Sequence, residues 1–187
     1  MQFVDMRDAS DSQRSEAARI LIAAFAHVPS AWKTTNEARA QVETFITDPK
    51  RRAWMACDDG RVLGWIGRIA AYSHAWELHP LAVDPTVQGR GVGTALVAAL
   101  EEAAADAGIL TVSLGSDDDY GGTNLFGRAL GPDPLQALAQ LAPASGHPFT
   151  FYRQLGYAVC GVIPDARGPG RHDILMAKHI DPKGTNG

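Results

Sequence analysis

The sequence is short of cysteine, of surplus positive charge and of long apolar runs. Only two cysteines, Cys57 and Cys160, occur in 187 residues. They lie far apart and outside any C-x-x-C pair, which excludes a disulfide framework and a thiolate zinc site. They read as small core residues in a reducing compartment. Lys and Arg number 17 against 21 Asp and Glu, a formal net charge of −4. A chain that coats nucleic acid usually has a basic face, so no nucleic-acid partner is expected. The longest apolar-rich stretches, Ile20–Phe25 and Ala95–Leu100, fall far short of the roughly 20 residues of a membrane span. The opening MQFVDMRDASDSQRSE has no apolar h-region, so the expected location is the cytoplasm, with no membrane partner. The histidines are scattered, with no H-E-x-x-H, and no serine sits in a G-x-S-x-G elbow, so neither a metal site nor a serine nucleophile is expected. With no internal repeat, low-complexity tract or linker, a single domain is expected over residues 1–180, with a disordered tail at 181–187.

What is present is the composition of a folded soluble domain, 45% hydrophobic and 20% charged. Gln2–Met6 reads as a short strand. Ser10-x-x-Gln13 and Thr34-x-x-Glu37 are capping boxes that open two helices. Trp54–Asp58 and Val62–Ile69 are strands joined by Asp59-Gly60, a strong hairpin signal. Trp76–Val83 is a further strand, stopped by Asp84-Pro85. After VQGRGVGT, the residues Val92, Leu96, Leu100, Ala103 and Ala107 repeat at helical spacing. Strands follow at Leu110–Leu114, Tyr157–Ile163 and Ile174–His179, with a helix at Pro148–Leu155. Residues 123–147 are an irregular connection with a helix at Leu135–Leu141. The order predicts an α/β fold with both antiparallel and parallel strand pairs, flanked by helices, rather than a doubly wound sheet.

The glycines Gly89, Gly91 and Gly93 sit between a strand and a helix. Glycine allows positive φ and lets backbone amides approach a ligand, and the helix start adds unpaired N–H groups. The physical reading is a pyrophosphate cradle, with glycines serving only helix packing as the competing reading. No lysine follows as in a Walker loop. The spacing G-x-G-x-G is one residue short of the dinucleotide fingerprint.

Gln88-Gly89-Arg90-Gly91-Val92-Gly93, after LHPLAVDP, resembles the Q/R-x-x-G-x-G/A signature of the GNAT acetyltransferase family. Phe151-Tyr152-Arg153-Gln154-Leu155-Gly156-Tyr157 resembles that family's late F-Y-x-x-x-G-F segment. The resemblance implies acetyl-CoA as cosubstrate. Leu81, Ala82 and Val83 are expected on its pantetheine arm, and Gln88, Gly89, Arg90, Gly91, Val92, Gly93 and Thr94 on its phosphates, with Tyr152 close to its sulfur. Ser145 stands where the family often has asparagine. WELHPLAV, LGSDDDYGGT, GHPFTFYRQLGY and VIPDARGPGRHDILMAK resemble the aminoglycoside 6′-N-acetyltransferase branch, with Arg167 and Arg171-His172 as departures from its late segment.

Acetyl transfer to an amine needs a base, an oxyanion donor and an acid for the departing thiolate. Glu77 and His79, two residues apart in one strand, point to the same face and are the candidate bases. A backbone N–H near Val83 is the implied oxyanion donor. Tyr152, a phenol of ordinary pKa near 10, is the candidate acid. Asp117, Asp118 and Asp119, with Asp173 and Glu77, are the candidate contacts to a polycationic amine. Each has a plainer reading, as surface carboxylate, packed aromatic or solvated loop. The expected reaction is acetylation of an aminoglycoside amine, the 6′ amine, giving antibiotic resistance, with a homodimer as the expected assembly. The alternatives are a peptide or other small amine as substrate, or a non-catalytic acetyl-CoA-binding regulator.

Overall fold

A computed structural model of the chain describes residues 1–144 and 146–183. Ser145 and the end of the tail, 184–187, lie outside the described residues. Among the described residues the chain has seven strands and five α-helices. The mixed α/β reading is borne out. Packing divides the chain into two compact units. The first comprises Met1–His27, Ala31–Val112 and the segment from His179 on; the second comprises Val28–Ser30 and Ser113–Lys178.

In the first unit, β1 (Gln2–Asp5), β2 (Arg51–Asp58), β3 (Arg61–Ala70) and β4 (Ala75–Val83) form an antiparallel meander. The turn between β2 and β3 places Asp59 and Gly60 at φ of 44° and 80°, as a two-residue hairpin requires. Helices α1 (Asp11–Ala24) and α2 (Thr35–Thr47) begin at the two predicted capping boxes, and both boxes are closed. Their apolar faces meet the sheet around Leu21, Val42, Phe45, Met55 and Trp65, all buried. The Trp65 indole N–H donates to the Ala17 carbonyl at 3.0 Å, so this large ring is buried with its polar atom satisfied. Helix α3 (Val92–Asp106) takes the other face: Leu96 packs at Gly64, and neighbouring strand residues point to opposite faces.

Between Ile66 and Arg68 the β3–β4 register shifts. Ile66 pairs with Leu81 and Arg68 with Leu78, so His79 and Pro80 together oppose Gly67. This is a bulge, the device that bends a strand and re-aims its side chains. It also explains the glycine. A Cβ on Gly67 would lie 2.5 Å from both the His79 carbonyl oxygen and Phe45 Cε1.

In the second unit, β6 (Ala158–Ile163) pairs antiparallel with β7 (Asp173–His179). Strand β5 spans Thr111–Asp117, three residues beyond the predicted end, which makes Asp117 a strand residue rather than a loop residue. The helix expected at Leu135–Leu141 is the shorter α4 (Pro134–Leu138), and α5 is Phe149–Gln154. Cys57 is buried as expected, but Cys160 is exposed. The β6–β7 register shifts between Val159 and Gly161, leaving Cys160 as the unmatched residue of a bulge.

The connection 118–147 is irregular but well tied. Asn124 donates to the Gln140 carbonyl at 2.8 Å and accepts from the Ala142 N–H at 2.9 Å. The Gly127 N–H donates to the Gly170 carbonyl at 2.8 Å, and His172 bonds the Arg128 carbonyl at 3.1 Å. Among the described residues, no helix is long and apolar enough to cross a membrane.

The Gly67 geometry predicts that Gly67→Ala is destabilising by about 1–3 kcal/mol, the cost of overpacking. Thermal unfolding should show a fall of several degrees. An unchanged Tm would mean that Phe45 yields and that the bulge is not locked by the glycine.

Candidate active site

The glycine turn begins at Asp84, which is 1% exposed. One carboxyl oxygen accepts from the Thr86 N–H at 2.9 Å and hydroxyl at 2.7 Å; the other accepts from Arg19 at 2.8 Å. Arg61 approaches to 3.5 Å. The Arg19 hydrogen bond, then those of Thr86, hold the Asp84 carboxyl well below the usual carboxylate range. Asp84 thereby caps a 3-10 turn, Pro85–Val87, and joins it to α1 and β3. Gln88 follows and donates to the Val83 carbonyl at 3.2 Å.

Gly89 and Gly91 then adopt φ of +73° and +83°, and a Cβ at either would meet nothing within 4 Å. The space beside the turn is open, so what demands glycine here is the left-handed backbone, not crowding. Gly91 is the N-cap of α3 and supplies no side-chain cap. The first amides of α3 are therefore available to an anion, with the positive end of the helix dipole behind them. A surface groove of about 590 Å³ beside the turn is lined by Asp58, Asp59, Arg61, Val87, Arg90 and Val92, among others. Its lining sets two carboxylates against Arg61 and Arg90, so the fit to a pyrophosphate rests on the backbone amides of the turn and not on the charge of this groove.

Along β4 burial alternates strictly. Trp76, Leu78, Pro80 and Ala82 are buried, while Glu77, His79, Leu81 and Val83 are half-buried. The bulge reverses the alternation between them: Glu77 opposes Ile69 and His79 opposes Gly67 on the face of α1 and α2, whereas Leu81 opposes Ile66 and Val83 opposes Gly64 on the α3 face. The two candidate bases therefore share a face, and the candidate pantetheine contacts Leu81 and Val83 lie on the other. His79 stands at the bulge, its ring centroid 6.1 Å from that of Trp32.

The second unit holds the acidic candidates, and it uses them unequally. Asp118 is fully buried. Its oxygens accept from the Gly122 N–H at 2.8 Å, the Thr123 N–H at 3.0 Å and the Thr123 hydroxyl at 2.5 Å. Asp118 therefore caps the loop from inside instead of facing a substrate, because it is fully buried and three of its roughly four acceptor sites are taken. Asp119 accepts from the Ser30 N–H at 3.2 Å and from Arg171 at 2.9 Å. With its side chain fully buried, it too is committed internally. Asp117 pairs with Arg167 at 2.8 Å and is 27% exposed. On β7, the Asp173 carboxylate lies against Gly115, where a Cβ would meet its Oδ2 at 2.5 Å.

Tyr152 is buried in α5, its ring edge-on to Phe151 and Tyr157 at centroid distances of 5.1 and 5.7 Å. Burial pushes its phenol above the ordinary value, so the hydroxyl stays protonated across the neutral range. His147, fully buried, was not singled out by sequence. Its Nδ1 accepts from the Phe149 N–H and its Nε2 lies against the Asp117 carbonyl, both at 3.2 Å, which assigns the neutral tautomer with the proton on Nε2. Its ring stacks on Tyr120 at 6.1 Å, and burial lowers its pKa. In the sequence Asp84 reads only as a strand stop; Asp-Pro-Thr after a strand is the signal that marks such a cap.

Residues 16–131 match the model of the acetyltransferase (GNAT) family. A solved aminoglycoside 6′-N-acetyltransferase complexed with coenzyme A is 32% identical, with 98% of this chain and 99% of that one aligned and a TM-score of 0.87. The aminoglycoside 6′-N-acetyltransferase from Enterococcus faecium is also 32% identical over the same shares, with a TM-score of 0.85. An uncharacterised N-acetyltransferase of Mycobacterium tuberculosis is 35% identical over 80 residues, 43% of this chain. That match spans about half, 51%, of the mycobacterial protein.

Gly91→Val should weaken acetyl-CoA binding at least tenfold by titration calorimetry, because a β-branched residue resists positive φ. Gly91→Asn, which tolerates that backbone, should stay closer to wild type. Wild-type affinity in a folded Gly91→Val protein would remove the turn from the binding site.

The 118–147 connection should loosen in acid. His147 has a lowered pKa when folded and one near 6.5 when unfolded. Its contribution is then fully present above about pH 6.5 and declines as pH falls toward the folded value. Protonation also places a hydrogen on Nδ1, which breaks the bond from Phe149. The protection of the Phe149 amide, measured relative to its intrinsic exchange rate, should fall as pH drops below about 6.5, and His147→Gln should flatten that dependence. A wild-type rate that shows only the intrinsic pH trend would exclude this coupling.

Proposed function

The chain belongs to the GNAT acetyltransferase family, and from that premise we propose that it acetylates the 6′ amine of an aminoglycoside antibiotic with acetyl-CoA. The observation that carries the proposal is 32% identity over nearly the whole chain to an aminoglycoside 6′-N-acetyltransferase solved with coenzyme A. The open, left-handed glycine turn supports the cosubstrate, and the shared face of Glu77 and His79 on β4 supports the chemistry.

In this reading the amides of Gln88–Thr94 hold the pyrophosphate, and the backbone of Leu81–Val83 holds the arm. The bound coenzyme supplies an acetyl thioester. Glu77, or His79 beside it, takes a proton from the substrate ammonium directly or through one water, since only the free amine has a lone pair. A backbone N–H near Val83 steadies the oxyanion. Tyr152 returns a proton to the departing sulfur. A buried phenol is a weaker acid than an exposed one, but it arrives loaded with its proton. Asp117 and Asp173 are the acidic candidates left to meet the amine once Asp118 and Asp119 are assigned to the loop. Cells expressing the protein would then resist the antibiotic.

The test is purified protein with acetyl-CoA and a panel of aminoglycosides and peptide amines, with products mapped by mass spectrometry. Acetylation at the 6′ amine is expected. Glu77→Gln should lower kcat by roughly 10²–10⁴-fold, the range for a general base, and Tyr152→Phe should lower it by about 10–10³-fold. Turnover of peptide amines alone would replace the substrate while leaving the family chemistry standing.

A further inference from the structure

Two arginines occupy the acidic residues of the second unit. Arg171 reaches the fully buried Asp119, whose other oxygen takes the Ser30 N–H. Both partners of that pair are structural. The Arg167 pair differs. Its guanidinium is 46% exposed and its partner Asp117 is 27% exposed, so the contact is open to exchange with an incoming ammonium. Arg167 also lies in the fields of Asp173 and Asp119. The carboxylates of Asp117 and Asp173 therefore carry an internal cation, and their combined charge of two is reduced to one.

We infer that Arg167 is a specificity-determining residue that reads the charge of the amine substrate: by pairing with Asp117 it lowers the affinity contributed by each ammonium group beyond the reacting one. The inference rests on the proposed function, in which Asp117 and Asp173 face the amine. Its physics is simple competition. An ammonium of the substrate that seeks Asp117 must displace a guanidinium already bonded at 2.8 Å, and it brings a like charge close to Arg167. A substrate with a single ammonium at the reacting position loses nothing by this. Each further ammonium loses a carboxylate partner and meets repulsion. An exposed pair amounts to about 0.2–1 kcal/mol, so releasing Asp117 should change affinity by up to about fivefold.

The experiment measures Kd with coenzyme A present for a four-ammonium aminoglycoside and a 6-amino-hexose, at low and high salt. It compares wild type, Arg167→Gln and Arg167→Lys. Arg167→Gln should tighten the four-ammonium ligand about two- to fivefold at low salt and change the single-ammonium ligand less than twofold. The gain should shrink at high salt, where the Debye length contracts to about 3 Å near 1 M. Arg167→Lys, which keeps the charge, should keep the wild-type ratio. Asp117→Asn should weaken only the four-ammonium ligand. Equal shifts for both ligands, an unchanged ratio in Arg167→Gln, or no binding by any variant would each overturn the inference. Turnover in the same samples separates the two claims. A wild type that acetylates neither ligand removes the aminoglycoside reading, whereas the Kd ratio alone decides the role of Arg167.

Discussion

A buried carboxyl at the end of β4 is the constraint on which the first unit's chemistry depends. Asp84 takes hydrogen bonds from α1 through Arg19 and from the following turn through Thr86, while its own N–H donates to the Leu63 carbonyl of β3 at 2.9 Å. One residue thus fixes where β4 stops and where the glycine turn starts. Without that anchor, Gly89 and Gly91 would be free to sample both signs of φ, and the amides of α3 would have no fixed direction. A charged group can be this deeply buried only because each oxygen has donors, two of them from arginine and the backbone. The cradle's flexibility at the glycines and its rigidity at Asp84 are complementary: the first lets the backbone come close to a phosphate, and the second decides where.

Asp118 plays the same part in the second unit. It follows β5, is fully buried, and gathers the amides of Gly122 and Thr123 as Asp84 gathers Thr86. Both aspartates end a strand and set a loop. Three consecutive aspartates would repel one another if all faced solvent. The chain resolves this by sending Asp118 inward, giving Asp119 to Arg171 and Asp117 to Arg167. The apparent acidity of the segment in sequence is therefore much larger than the charge it offers to a ligand.

This difference marks how far the sequence could be read. Local signals carried well: both capping boxes, the Asp59-Gly60 hairpin and the strand–glycine–helix turn appear where the residue types placed them, because each depends on neighbours within four positions. The face shared by Glu77 and His79 followed from the two-residue period alone. Long-range polar pairing was not legible. Nothing near Asp117 in the chain announces a partner fifty residues on, so the arginines at 167 and 171 stood only as departures from a pattern. The exposure of Cys160 was missed for a related reason, since a bulge is a property of two paired strands and not of one. His147 escaped because a neutral, doubly bonded histidine has no sequence mark.

The three long helices of the first unit make a final contrast. Helices α1 and α2 each close a capping box, with the side chains of Ser10 and Gln13 or of Thr34 and Glu37 satisfying amides at the helix start. Helix α3 begins at a left-handed glycine with no side chain to do this, although serine, threonine, asparagine and aspartate are the usual choices there and glycine in their place costs a few tenths of a kcal/mol. The fold accepts that cost at a helix whose start adjoins open space at Gly89 and Gly91. An anion that binds there takes the place of the missing cap. Under the proposed function that anion is the cosubstrate's pyrophosphate, and its binding would stabilise the folded state by mass action. Local stability given up in the free chain is recovered when the ligand arrives, which ties occupancy of the turn to the order of the strand and helix on either side of it.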